Sequence, residues 1–216
     1  MLTQAQIQDF QAQCNVLYHA LYFEPSDCLL DQFRATGIEH SWPQTGRAEP
    51  RQAGLNKLTS ALQLDNDSLL SEIKRDHMAL FVGPSEIKAI PWGSPYLHEK
   101  RLLCGPSTIA LAEFYQHHGI LVETQTNEPV DHIGLVLSAI SALLADEAKQ
   151  QNGHALAALN VLLAEHLLPW SGRFLAIMQA QAQSDYYQGI ALLTDSVLGD
   201  LQQQLQVEAL QLQLFQ

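Results

Sequence analysis

The amino-acid sequence predicts an all-α globule of roughly eight to ten helices. Three features of it point that way. Apolar residues recur at spacings of three and four in one segment after another, the repeat of a helix face. Cap and breaker residues fall where such segments should start and stop. Alternating runs rich in Val, Ile and Thr and bounded by turn residues are missing, so no strand is expected.

The elements follow in order. Thr3 with Gln6 forms a capping-box start, and Ile7, Phe10, Cys14, Leu17 and Leu21 continue one helix face towards Pro25. A short helix is expected from Ser26 to Gly37, a residue suited to a left-handed cap. Residues 38–50, with Trp42, Gly46 and two prolines, read as a loop. Leu55, Leu58 and Leu62 mark the next helix, and the run from Asp65 to Ser68 ends it and caps another that carries Leu69, Leu70, Ile73, His77, Leu80 and Phe81. Residues 83–95 are the most loop-like part of the chain, and an unstructured stretch of that length is often functional. Gly105-Pro106-Ser107 opens a helix that ends at Gly119, and Pro129 suits a first helical position before Ile133, Val136, Leu137, Ile140, Leu143 and Leu144. Leu156, Leu159, Leu162, Leu163 and Leu167 follow, cut by Pro169, and two more helices are expected near 174–181 and 185–205. Residues 120–128 are the linker-like stretch in the middle. The chain is expected to form one unit, 1–216, with 1–119 and 129–216 as subdivisions if that stretch is a hinge. A monomer is expected; a hinge there would allow a domain-swapped dimer.

Composition bounds the function. Of the 216 residues, 47% are hydrophobic, enough for a sizeable core. The net charge of −12 disfavours nucleic acid, whose phosphates need Lys and Arg, and suits a basic partner. No export signal is expected from MLTQAQIQDF, and no run of about 18 apolar residues could span a bilayer. Cys14, Cys28 and Cys104 are odd in number and widely spaced, which fits reduced thiols and a cytoplasmic location. Phosphate-loop, zinc-protease and nucleophile-elbow motifs are all missing, and the nine histidines are scattered, so neither a catalytic centre nor a metal is expected.

Two constellations carry chemistry. Glu128, Asp131 and His132 stand at i, i+3 and i+4 around a helix start, where they could share a face and offer carboxylates to guanidinium groups. Acids at a helix start also simply complement its dipole. Trp92, between Pro91 and Gly93 in the loop, either plugs the core or walls a pocket. A small hydrolase using Asp131 and His132 is the enzymatic alternative, although helix neighbours do not face each other and no nucleophile is identifiable.

The strings R-D-H-M-A-L-F-V-G-P, P-W-G-S and E-P-V-D-H, in that order, resemble the TorD/DmsD/NarJ family of redox-enzyme maturation chaperones, most closely its DmsD branch. The motifs cover residues from about 70 to 145. The resemblance implies a chaperone, not an enzyme, that binds the twin-arginine leader peptide of a molybdoenzyme catalytic subunit, of the dimethyl sulfoxide reductase kind, and delays its export until folding and cofactor insertion are complete. Carried over by position, it implicates Leu80, Phe81, Pro91, Trp92, Gly93, Glu128, Pro129, Asp131 and His132. Ile90 stands where that branch often has a second proline, and His77 and Ser85 where members can have tryptophan, so the surface here is less aromatic. No resident cofactor is implied; guanine nucleotide has been proposed as a ligand within the family, which makes a nucleotide-binding regulator the second alternative, but this chain offers no recognisable phosphate cradle.

Overall fold

Thr3 opens the first helix as expected. Its hydroxyl accepts the Gln6 N–H and the Gln6 amide oxygen accepts the Thr3 N–H, so two backbone donors are satisfied at the start of α1 (Gln4–Tyr22). The computed structural model describes residues 2–84, 86–124 and 128–215; Ser85 and the middle of the 120–128 stretch lie outside it. The α1 stripe Ile7, Phe10, Cys14, Leu17 and Leu21 is at most 5% exposed. Burial pushes the Cys14 thiol up to about 12, so it stays protonated and inert.

α2 (Asp27–Thr36) closes on Gly37, whose φ of 55° is left-handed. The expected loop 38–50 is shorter than the sequence suggested. Gly37 turns the chain directly into α3 (Ile38–Ser41), and α4 (Ala48–Ala61) has already begun when Pro50 arrives. A four-residue helix is too short to show a period, and a proline in a first turn costs no hydrogen bond. α5 (Asn66–His77) is capped by Asp65, which accepts the Ser68 N–H. It continues into a π turn, Met78–Val82, that ends at Gly83.

After the loop come α6 (Ser94–Leu97), α7 (Pro106–His117) and α8 (Ile133–Gln150). α9 (His154–Val161) passes through a second π turn, Leu162–Leu167, straight into α10 (Leu168–Gln181), so Pro169 does not cut the helix as expected. It sits in the first turn of α10, where the wider π register before it makes room for the ring. α11 (Asp185–Gln204) is capped by Ser184.

α8 and α11 are buried almost all round and form the centre. α1 lies along α8, and α4 and α10 lie against α11. The most extensive packing therefore joins elements from the two sides of the 120–128 stretch. Gly134 sets how closely α1 meets α8: a Cβ there would stand 2.7 Å from the Cβ of Tyr22. Among the described residues there is no strand beyond one isolated bridge, and no helix is long and apolar enough to cross a membrane.

Candidate functional site

That isolated bridge builds the site. Pro91 accepts the Ile133 N–H at 2.8 Å, and Asp131 accepts the Gly93 N–H at 3.1 Å through their carbonyls. Trp92 and His132 thereby pair antiparallel, and the loop is clasped to the chain that leads into α8. The Asp131 carboxylate adds a third bond, its Oδ2 accepting the Ser94 N–H at 2.6 Å. Behind the loop, Leu80 accepts the Ala89 N–H, and the Tyr96 hydroxyl donates to the Ile90 carbonyl.

The clasp changes the geometry expected of Glu128, Asp131 and His132. They do not share a helix face, because α8 begins only at Ile133 and Pro129 stands ahead of it rather than at its first position. The bridge holds His132 extended, and its ring, not an acid, caps the helix: Nδ1 accepts the Gly134 N–H at 3.1 Å. Nε2 must then carry the proton. Burial, with His77 nearby as a lesser cause, pushes the imidazole down from 6.5 to about 3, so it is neutral near pH 7 and poorly suited to act as a base.

The nine expected residues fall into three settings. Leu80 and Phe81, 0% and 6% exposed, are core beneath the loop rather than surface. Pro91, Gly93, Asp131 and His132 are buried in the clasp. Trp92, Glu128 and Pro129 remain half-exposed. Trp92 neither plugs the core nor stands free: its ring meets the His132 ring edge-on at 5.2 Å. On the other side of His132 lies Tyr22, also edge-on, at 5.3 Å. The Tyr22 hydroxyl donates to Glu128 Oε1 at 2.7 Å. Tyr18 and Phe23 extend the row of rings at 5.5 and 5.1 Å from Tyr22.

Tyr18, Tyr22 and Phe23 were not anticipated. Their signal was present: Tyr18 and Tyr22 are four apart and lie off the buried stripe of α1, which leaves a pair of half-exposed rings at a helix end. The R-D-H string has its own explanation. Asp76 is buried and holds the start of α11, while the Nδ1 atom of His77 lies 2.9 Å from the Tyr187 hydroxyl.

Gly93 is required by its surroundings. A Cβ there would stand 2.6 Å from the indole of Trp170, which is 1% exposed and tied by its N–H to the His166 carbonyl. Gly93→Ala is expected to cost about 2 kcal/mol, because neither the indole nor the clasp can yield without opening a gap. Denaturant unfolding checks it; a loss within error would mean that the loop moves freely.

The chemistry of the site is suited to binding. It offers a row of rings, a carboxylate at the surface and a neutral imidazole. Among the described residues no group of His, Cys, Asp and Glu could hold a metal ion. The chain belongs to the family described as nitrate reductase delta subunit, whose pattern matches residues 44–176. It is 32% identical to the probable Tat proofreading chaperone DmsD of Haemophilus influenzae over 93% of this chain and 94% of that one. It is equally 32% identical to the Tat proofreading chaperone DmsD of Salmonella typhi, over 95% of each chain. The chaperone protein TorD of Shewanella pealeana is 26% identical, over 78% of this chain and 76% of its own.

Proposed function

We propose that this protein is a redox-enzyme maturation chaperone that binds the twin-arginine leader of a molybdoenzyme catalytic subunit. It acts in the cytoplasm, as a binding protein without catalysis and as a single folded unit, and holds the leader until the client is ready for export. The observation that carries this reading is the row Trp92–His132–Tyr22, half-exposed at its two outer rings and buried at His132, with the Glu128 carboxylate at its edge. A leader has two arginines followed by an apolar stretch. Guanidinium groups bond carboxylates and stack on aromatic faces, and apolar side chains pack on the same rings. The net charge of −12 draws a cationic segment to this surface. The relatives named as Tat proofreading chaperones support a client that uses the twin-arginine route. Neither a hydrolase built on Asp131 and His132 nor a nucleotide regulator gains support: the imidazole is spent on capping α8, and the relatives are named as chaperones.

Calorimetry with a synthetic twin-arginine leader tests the reading. Trp92→Ala is expected to weaken binding by about 2 kcal/mol, roughly thirtyfold, as the loss of an aromatic anchor does. Glu128→Gln keeps an acceptor for Tyr22 but removes the charge, and should weaken binding about tenfold at low salt and less at high salt. A folded Trp92→Ala protein with unchanged affinity would end the proposal.

A further inference from the structure

Beneath the clasp, a small cleft reaches the buried side of Asp131. It is about 20 Å3, lined among others by Ser94, Leu97, Ser107, Asp131, His166 and Trp170. That is room for about one water molecule. Two polar atoms are stranded there. Asp131 Oδ1 and the Ser94 hydroxyl are both buried and have no hydrogen-bond partner among the described residues. Asp131 is 4% exposed and Ser94 0%. A buried acceptor without a donor costs about 1–3 kcal/mol and calls for an explanation in a ligand or a second state.

The two walls of this cleft are joined by a segment that belongs to neither. After α11 the chain runs back without regular secondary structure over residues 207–215. The Leu210 N–H donates to the Ala164 carbonyl at 2.9 Å, and the Phe215 N–H to the Tyr96 carbonyl at 2.9 Å. Ala164 immediately precedes Glu165 and His166 on one wall, and Tyr96 immediately precedes Leu97 on the other. The Ala164 carbonyl is open for a reason. In the π register its donor would be the N–H five residues on, and that residue is Pro169, which has none. Val207 anchors the start of the segment in the core, and beyond it the segment is lightly held. Leu210 and Leu212 are 49% and 46% exposed, and of the alternating leucines only Leu214 packs against the core.

We propose that residues 207–215 are a strap that staples this cleft shut, and that its release admits a guanidinium group to Asp131 Oδ1 and the Ser94 hydroxyl. The inference rests on the leader-binding reading and deepens it. Glu128 supplies the surface acceptor for one arginine; the strap guards a second, buried acceptor that is too small in the closed state for more than a water. A planar guanidinium, with its fork of donors, suits a carboxylate oxygen beside a hydroxyl better than an ammonium does.

Leu210→Pro and Phe215→Pro each remove one strap N–H from the full chain and leave the cleft walls intact; thermal melts confirm that each variant folds. Calorimetry then compares two leaders, one with the arginine pair and one with lysines in their place. Both strap variants are expected to bind the arginine leader about fivefold tighter than the unsubstituted protein, because binding no longer has to release the strap. The lysine leader should gain nothing, and Asp131→Asn added to either variant should cancel the gain. Equal affinities with and without the strap bonds, or a gain shared by the lysine leader, overturn the inference while leaving the leader-binding reading in place. If no form of the protein binds either leader, that reading fails, and hydrogen exchange decides the strap by itself. The Ser94 amide should exchange about tenfold faster in the strap variants; unchanged exchange overturns the strap as well.

Discussion

Asp76→Ala is expected to remove about 3 kcal/mol of stability. Asp76 is 4% exposed, near the end of α5, and its Oδ2 gathers three donors from across the chain: the Gln183 N–H at 3.0 Å, the Ser184 N–H at 2.8 Å and the Ser184 hydroxyl at 2.6 Å. The Ser184 hydroxyl in turn accepts the Tyr187 N–H and so caps α11. One carboxylate thus ties two helices together at the positive end of the central one. Alanine would strand the buried Ser184 N–H and hydroxyl without water, at about 1–3 kcal/mol for each group left unpaired, and would release the Gln183 N–H. In a chain of this size the loss corresponds to a fall in melting temperature of about 6–12 °C. Asp76→Asn separates the causes. Its amide oxygen can keep the place of Oδ2, and its NH2 can take that of Oδ1, which has no hydrogen-bond partner among the described residues. Asparagine should therefore cost clearly less than alanine; equal losses would show that charge at the helix start, not acceptance of these bonds, is what matters.

The contact also marks what a sequence exposes and what it hides. The α1 stripe, the Thr3 capping box, the left-handed Gly37 and the Asp65 cap were all legible, because each depends on residues within one or two turns of one another. The partner of Asp76 lies more than a hundred positions away, and no local pattern announces it. The same holds for the site. Trp92, Glu128 and His132 could be picked out as unusual residues, but their roles are set by the bridge between two distant segments. Periodicity placed Glu128, Asp131 and His132 on a helix face, because a proline followed by apolar residues at helical spacing looks like a first turn. The pairing with the loop overrides that local preference and moves the start of α8 to Ile133. Leu80 and Phe81 were expected at a binding surface, yet both are buried: the returning loop bonds back to Leu80 through Ala89, and Phe81 packs among the rings of His77, Phe174 and Tyr187. The π turns were hidden for a related reason: their wider register is imposed by packing and, at Pro169, by a missing donor, and neither leaves an apolar period of its own.

His132 should make the protein acid-labile in a defined window. Its imidazole is 5% exposed, lies between the rings of Trp92 and Tyr22, and has His77 near enough to disfavour its charge. Burial lowers its folded-state pKa from 6.5 to about 3. An unfolded chain takes up this proton below about pH 6.5, and the folded protein does so only near pH 3. The unfolded state therefore binds more protons throughout that interval, and stability falls as the pH falls through it. At pH 4.5 the difference amounts to about two pH units, or about 2.7 kcal/mol if no local opening relieves it. Burial lowers the pKa of His77 and His166 too, which adds to the loss in the same direction. His132→Asn isolates the contribution of the ring, since asparagine can still cap α8 and does not titrate. The variant should be less stable than the unsubstituted protein at pH 7, because it loses the two ring contacts. Urea unfolding at pH 7 and pH 4.5 should then show the gap narrowing by about 2 kcal/mol at the lower pH. Parallel pH profiles for the two proteins would mean that the imidazole reaches water and charges without disturbing the clasp, and Trp92 would then be held by a looser hinge than the bridge implies.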